Sequence, residues 1–233
     1  MNGTVSLEKS SAISALAREL TSEGLGTAIL VAAIVGSCIS GDQLSGENEA
    51  LAVLATALTQ GTILVVLISV FSPISGAHLN PAVTLVFMLK GDTSVSKGVA
   101  FVIVQIGGAI AGTIVAHLMF GLDPIEIGTK FRWGPGLWLG EGLATFALLI
   151  AILGCLTHRP EITAYVVGLV ITAGNWYTSS GSFANPAVTL ARTFTDTFAS
   201  LRPLDAIPFV IAEFSGALLA FALACWLFVP QQK

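Results

Sequence analysis

The sequence predicts an all-α membrane protein in which six transmembrane helices and two re-entrant half-helices form an inverted 3+3 repeat. Three observations lead there. The 233 residues are 54% hydrophobic and only 10% charged, and the mean hydropathy is +0.85, far above that of a water-soluble domain. Six apolar stretches approach the length of about 20 residues that a helix needs to cross roughly 30 Å of hydrocarbon. A hexapeptide, Asn-Pro-Ala-Val-Thr-Leu, occurs twice, after the second and the fifth of those stretches.

The six spans fall at residues 22–40, 51–71, 98–120, 137–156, 162–177 and 207–229. Residues 1–10 are polar and carry Glu8 and Lys9, so they lack the apolar centre of a secretory signal and read as a cytoplasmic tail. Lysine and arginine near the helix ends orient the chain. With the N-terminus inside, Lys9, Arg18, Lys90, Lys97, Arg159 and Lys233 fall on the cytoplasmic side, and Lys130, Arg132, Arg192 and Arg202 fall outside. Both termini are then cytoplasmic. The net charge of −4 reports solubility and surface attraction rather than transport, and nothing in it points to nucleic acid. Cys38, Cys155 and Cys225 all fall in apolar spans with no paired spacing. That pattern argues against a disulfide framework or a zinc site and fits small buried hydrophobes.

An internal repeat organises the chain. Ser22-Glu23-Gly24-Leu25-Gly26-Thr27 resembles Gly140-Glu141-Gly142-Leu143-Ala144-Thr145, residues 80–85 are identical to 185–190, and Gln105-Ile106-Gly107-Gly108-Ala109 echoes Glu213-Phe214-Ser215-Gly216-Ala217. The offsets are 118 (Glu23 to Glu141), 105 (Asn80 to Asn185) and 108 (Gln105 to Glu213), in the same order in both halves. The halves are residues 1–120 and 137–233, joined by an external loop at 121–136. Three spans per half is an odd number, so the second copy enters the membrane from the opposite face. Inverted repeats of this kind place their functional site near the midplane, between the halves.

The two hexapeptides begin segments of about ten residues, half of what a span needs. Asn is among the best N-cap residues, and Pro suits the first helical position, where its missing N–H has no intrahelical partner anyway. Asn80-Pro81-Ala82 and Asn185-Pro186-Ala187 therefore read as the starts of half-helices. The preceding residues 75–79 and 180–184 are small and suit a non-helical stretch. Irregular backbone at membrane depth survives only where protein or a water-filled cavity satisfies it, so these loops are expected to line a pore. Two half-helices meeting with their positive N-terminal ends together would disfavour cations, while the Asn80 and Asn185 carboxamides offer hydrogen bonds to a passing oxygen.

Glu23, Glu141 and Glu213 lie in or beside apolar spans, where an ionised carboxylate costs at least ~2.5 kcal/mol and needs a partner. A proton relay is one reading. The preferred one is that Glu23 and Glu141 accept hydrogen bonds from the backbone amides of the two loops, since both sit at the same place in the repeat. His78 could gate the pathway or support its loop, and it is grouped with the two glutamates as loop support. His117 and His158 are expected at the interface. Gly107, Gly108 and Gly112 are read as helix-packing positions, because lipid-embedded helices approach closely over small residues.

The run Glu23-Gly24-Leu25-Gly26-Thr27, the run from Ser75 through His78 and Asn80 to Thr84, Gln105, and the second Asn185-Pro186-Ala187 resemble the aquaporin family over nearly the whole chain. The resemblance implies a homotetramer with one pore per subunit, set in the plasma membrane or, in a bacterium, the inner membrane. It implies passive passage of water, glycerol or similar neutral molecules, and calls for no cofactor. In most of the family an Arg directly follows the second Asn-Pro-Ala, whereas Val188 stands here; Arg192 comes one turn later, about 6 Å farther along at 1.5 Å per residue. Thr189 stands where glycerol channels commonly carry Asp. Carried over by distance from the motifs, the other constriction positions fall on Gln60, Ala173 and Ser182.

A constriction of Gln60, Ala173, Ser182 and Val188 lacks a bulky aromatic and a fixed positive charge, and is expected to be wider than a water-only filter. The missing Arg resembles bacterial aquaglyceroporins of arsenic-resistance systems, which implies polyols and uncharged metalloid hydroxides such as arsenite, with methylated arsenicals, as solutes. The main alternative is a proton-coupled secondary transporter, since inverted repeats and broken helices build those too. A structural junction protein on a channel scaffold is another. An intramembrane enzyme is disfavoured by the lack of a His or Cys cluster or a nucleophile–base pairing.

Overall fold

A computed structural model describes residues 2–228, with side chains from residue 14 onward. The side chains of Glu8 and Lys9, all of Lys233, and Val229 at the expected end of the last span lie outside that description. The described helices are α1 (Asn2–Ser45), α2 (Glu49–Ser75), α3 (Pro81–Lys90), α4 (Val95–Met119), α5 (Pro135–His158), α6 (Thr163–Tyr177), α7 (Pro186–Ala191) and α8 (Pro203–Leu227). The expected tail and first span are thus one helix, of which Ser14–Ser45 is the membrane-length apolar part. Prolines open α3, α5, α7 and α8, and left-handed glycines, Gly76 and Gly91, close α2 and α3. These follow the N-terminal proline and C-terminal glycine preference of helices.

Among the described residues, five helices are long and apolar enough to cross a membrane: α1, α2, α4, α5 and α8. The remaining span, α6, has 15 residues and is preceded by a three-residue 3-10 turn at Pro160–Ile162. Together they extend roughly 28 Å at 1.5 Å per α-residue and about 2 Å per 3-10 residue, close to the hydrocarbon thickness. The second half-helix is shorter than expected, since α7 gives way after Ala191 to a 3-10 turn at Arg192–Phe194.

Each half is built on a pair of helices packed along their length, α1 on α4 and α5 on α8, and α2 meets α6 between the halves. Glycines make these contacts possible. A methyl group on Gly108 would collide with the Gly24 carbonyl, one on Gly112 with the Ala28 carbonyl, and one on Gly216 with the Gly142 carbonyl. Gly61 and Gly168 face each other's carbonyl oxygens across the α2–α6 crossing in the same way. Dispersion over close backbones replaces the hydrophobic effect that lipid cannot supply. Large apolar side chains such as Leu25, Val66, Ile103, Leu169 and Leu219 are turned outward.

The loop between α4 and α5 is tied to the loop between α7 and α8. Thr129 donates from its N and Oγ1 to Asp196, and Arg202 N donates to the Lys130 carbonyl. Lys130, Arg132, Arg192 and Arg202 consequently meet at one end of the bundle. His117, expected at an interface, is instead fully buried, held between the Asp123 carbonyl at 2.6 Å and Thr195 Oγ1 at 2.7 Å. His158 is exposed. Cys38 is buried, Cys155 half-buried and Cys225 exposed, so the last does not behave as a buried hydrophobe.

Replacing Gly108 or Gly216 by Val is expected to destabilise the fold by about 1–3 kcal/mol through overpacking. Gly107→Val is expected to be neutral, because nothing lies within 4 Å of a Cβ at that position. Thermal unfolding midpoints of the detergent-solubilised variants check this, and equal midpoints for all three would contradict it.

Candidate functional site

The two half-helices meet at their N-termini through reciprocal side-chain caps. Asn80 Oδ1 accepts from Ala82 N at 2.8 Å, and Asn185 Oδ1 accepts from Ala187 N at 3.0 Å and Val188 N at 3.4 Å. Each carboxamide then donates across the junction: Asn80 Nδ2 to the Ala184 carbonyl at 2.7 Å, and Asn185 Nδ2 to the Leu79 carbonyl at 2.8 Å. One N–H of each carboxamide is therefore committed to the opposite loop, and only the other is free for a solute. Pro81 and Pro186 occupy the first helical position, and Ala82 and Ala187 are fully buried behind them.

The loops that lead into the caps adopt the same unusual backbone. Gly76, Ala77 and Leu79 have positive φ in the first, and Gly181, Ser182 and Ala184 in the second. Four of these six are not glycine, a conformation that costs roughly 1–2 kcal/mol per residue and persists only where surroundings impose it. Buried glutamates impose it. Glu23 accepts from His78 N at 2.9 Å, Leu79 N at 2.7 Å and Ser75 Oγ at 2.6 Å. Glu141 accepts from Phe183 N at 2.9 Å and Ala184 N at 2.8 Å. With the amides turned to the glutamates, the carbonyls of residues 76–78 and 181–183 accept no hydrogen bond from the described residues, and are available as a row of acceptors.

Further polar groups brace this frame. Gln105 Nε2 donates to Glu23 at 2.8 Å and to Thr84 Oγ1 at 3.0 Å, and His78 Nδ1 lies 3.1 Å from the same hydroxyl. The His78 ring packs between Phe87, tilted at 39°, and Phe101, edge-on at 76°, with centroids 4.5 and 5.5 Å away. In the second half, Glu213 Oε1 accepts from Thr189 Oγ1 at 2.5 Å and from Asn185 N at 3.2 Å. The sequence pointed to Glu213 only as a carboxylate in need of a partner; its alignment with Gln105 in the repeat was the signal for its location.

A cavity of about 440 Å³ runs past both caps. Gln60, Asn80, Val83, Ile171, Asn185 and Val188 line it, and Pro160 and Glu161 sit at one end. Glu161 is ion-paired with Arg159 at 2.6 Å. Val188, on the first turn of α7, is 1% exposed, and Gln60 is held by Asn175 Nδ2 at 3.1 Å.

Two expected lining residues are not brought to the cavity. Ala173 is exposed on the outer side of α6, while Ala164, Val167 and Ile171 face inward at helical spacing. Counting back from Asn185 across the non-helical residues 178–184 loses the phase of α6, so Ile171 occupies the inward position. Ser182 packs against Gly174 of α6, and its neighbour Phe183 borders the cavity. The Phe183 ring itself packs with Leu201, Ala206 and Phe209. Arg192 does not reach back toward Val188. It is buried, donates from Nε to the Ala199 carbonyl at 2.6 Å, and lies 3.6 Å over the Phe183 ring. Arg132 donates to the Ser180 and Ser200 carbonyls and lies 5.4 Å from the same ring. Among the described residues no group of three or more His, Cys, Asp or Glu is placed to hold a metal.

Paired half-helices capped on each other beside a continuous cavity, inside a bundle of apolar helices, define a multi-pass membrane channel. The chain belongs to the major intrinsic protein family, whose model matches residues 9–160. It is 51% identical over 215 residues to the aquaglyceroporin AqpS of Rhizobium meliloti (strain 1021), covering 92% of both chains. Mouse aquaporin-4 is 29% identical over 91% of this chain and 68% of its own. The X-ray structure of the aquaglyceroporin from Plasmodium falciparum shares the fold, with a TM-score of 0.73 over 92% of this chain and 98% of that one, at 22% identity.

Glu141→Ala is expected to leave the Phe183 and Ala184 amides unpaired, at about 1–3 kcal/mol for each buried donor. The check is amide hydrogen exchange at Phe183 and Ala184, which should accelerate together with a drop in thermal midpoint. Unchanged protection there would show that Glu141 does not hold the loop.

Proposed function

We propose that this protein is a passive channel wide enough for glycerol-like polyols and uncharged metalloid hydroxides such as arsenite, with methylated arsenicals, as well as water. The observation that carries this reading is Val188, a small apolar side chain facing the cavity directly after the second Asn-Pro-Ala. Gln60 and Ile171 are the other side chains offered at that level, so no guanidinium crosses the passage, and Arg192 is engaged with Ala199 and Phe183 instead. The carbonyls of Gly76, Ala77, His78 and Phe183, residues that line the cavity, accept no hydrogen bond from the described residues and give hydroxyl-bearing solutes acceptors. The facing N-termini of α3 and α7 disfavour cations at the midpoint. The likeness to an aquaglyceroporin at 51% identity supports the solute class.

The same reading takes residues 1–120 and 137–233 as the two halves, with 121–136 between them, and the protein as a homotetramer in the plasma membrane. Lys90 and Lys97 at one end of the bundle, opposite the group of Lys130, Arg132, Arg192 and Arg202, support cytoplasmic termini under the positive-inside rule.

Stopped-flow light scattering of reconstituted vesicles tests the pore reading. Val188→Arg is expected to slow glycerol re-swelling by about tenfold or more, a rise of roughly 1.4 kcal/mol in barrier, while water shrinkage persists. Glycerol exclusion by the native protein would overturn the proposal. Cells producing the native protein should also equilibrate arsenite faster than cells without it, and equal rates would remove metalloid hydroxides from the solute class.

A further inference from the structure

The two loops are held by equivalent but chemically unequal pairs. In the first half the pair is Glu23 with Gln105, and the Gln105 amide donates to the Glu23 carboxylate at 2.8 Å. In the second half the equivalent positions carry Glu141 and Glu213, both with no solvent exposure and on the packed helices α5 and α8; Glu141 accepts from Ala184 N at 2.8 Å and Glu213 from Asn185 N at 3.2 Å, so the two carboxyl groups sit on consecutive amides of one loop. Two carboxylates cannot hydrogen-bond to each other, and like charges held on consecutive amides of a low-dielectric site do not both ionise.

The hydrogen bonds decide which glutamate carries the proton. Both oxygens of Glu141 accept from loop amides, those of Phe183 and Ala184. Glu213 uses only Oε1 as an acceptor, from Thr189 Oγ1 and Asn185 N, while its buried Oε2 has no hydrogen-bond partner among the described residues. That is the pattern of a carboxylic acid whose carbonyl oxygen is Oε1 and whose hydroxyl is Oε2. We infer that Glu213 is held as a neutral acid donating its Oε2 proton to Glu141, taking the part that the Gln105 amide takes toward Glu23. Each loop is then anchored by one ionised glutamate and one neutral donor. Glu213 is a positioning residue: it fixes the Asn185 amide and the Thr189 hydroxyl and orients Glu141 toward the loop. The loop and α7 present the Phe183, Ala184 and Asn185 amides and the Thr189 hydroxyl to the pair as donors. The inference does not depend on which neutral solute the channel passes.

Infrared spectroscopy of the reconstituted full-length protein at neutral pH tests it, with the same preparations assayed for water flux. The native spectrum should contain the carbonyl stretch of a protonated carboxylic acid, and Glu213→Gln should remove that band. Glu213→Gln is also expected to keep water permeability within about twofold of native, whereas Glu213→Leu, which strands the Asn185 amide and Thr189 hydroxyl, should lose about tenfold. A native spectrum without the band overturns the inference however the variants fold. So does a band that survives in Glu213→Gln, or a Gln variant as impaired as the Leu variant.

Discussion

Everything in this molecule depends on satisfying backbone polar groups where lipid offers no water. A loop at membrane depth exposes amides and carbonyls that cost several kcal/mol each when unpaired, and two such loops lie side by side here. Their amides turn to Glu23 and Glu141, and their ends are tied by the crossed Asn80 and Asn185 carboxamides, which leaves carbonyls and one N–H of each carboxamide without a partner among the described residues. The polarity of the passage is a consequence of that division. A pathway lined by acceptors at the loops and by positive helix ends at the midpoint suits neutral hydroxyl-bearing molecules and opposes cations.

The bundle exists to keep this frame rigid. Close crossings at Gly24–Gly108, Gly142–Gly216 and Gly61–Gly168 bring α1, α5 and α2 near enough for short polar side chains to span from helix to loop. Gln105, Thr84, Thr189 and Glu213 then fill the space between helix and half-helix with hydrogen bonds rather than voids. Where the two halves differ, the difference falls on the surroundings of a shared frame. The first half carries His78 packed between Phe87 and Phe101; the second carries Phe183 beneath Arg192.

Much of the site was legible because it is encoded locally. Asn-Pro marks a helix start by its own capping chemistry, and its duplication within a repeat made the pairing of half-helices readable. Glu23 and Glu141 as loop anchors followed from the same symmetry and from the cost of a lone carboxylate in lipid. Gln60 and Val188 line the cavity. Ala173 is placed by counting back from Asn185 through residues 178–184, where positive φ at Gly181, Ser182 and Ala184 breaks the helical phase. Arg192 was judged by its distance along α7, but the 3-10 turn that replaces the last part of the half-helix redirects its side chain to Ala199 and Phe183.

The sequence by itself determined the class of fold, the inverted repeat, the two half-helices and the residues that cap and anchor them, because each rests on chain-local rules of hydropathy, capping and charge burial. Only the tertiary structure decided which face of α6 looks inward, where the Arg192 and Arg132 guanidinium groups go, and that Glu213 reaches the Asn185 amide. Those depend on the rotational phase of helices and the path of irregular loops, which are set by contacts between segments some 28 to 115 residues apart, such as Asn185 with Glu213 and Gln60 with Asn175.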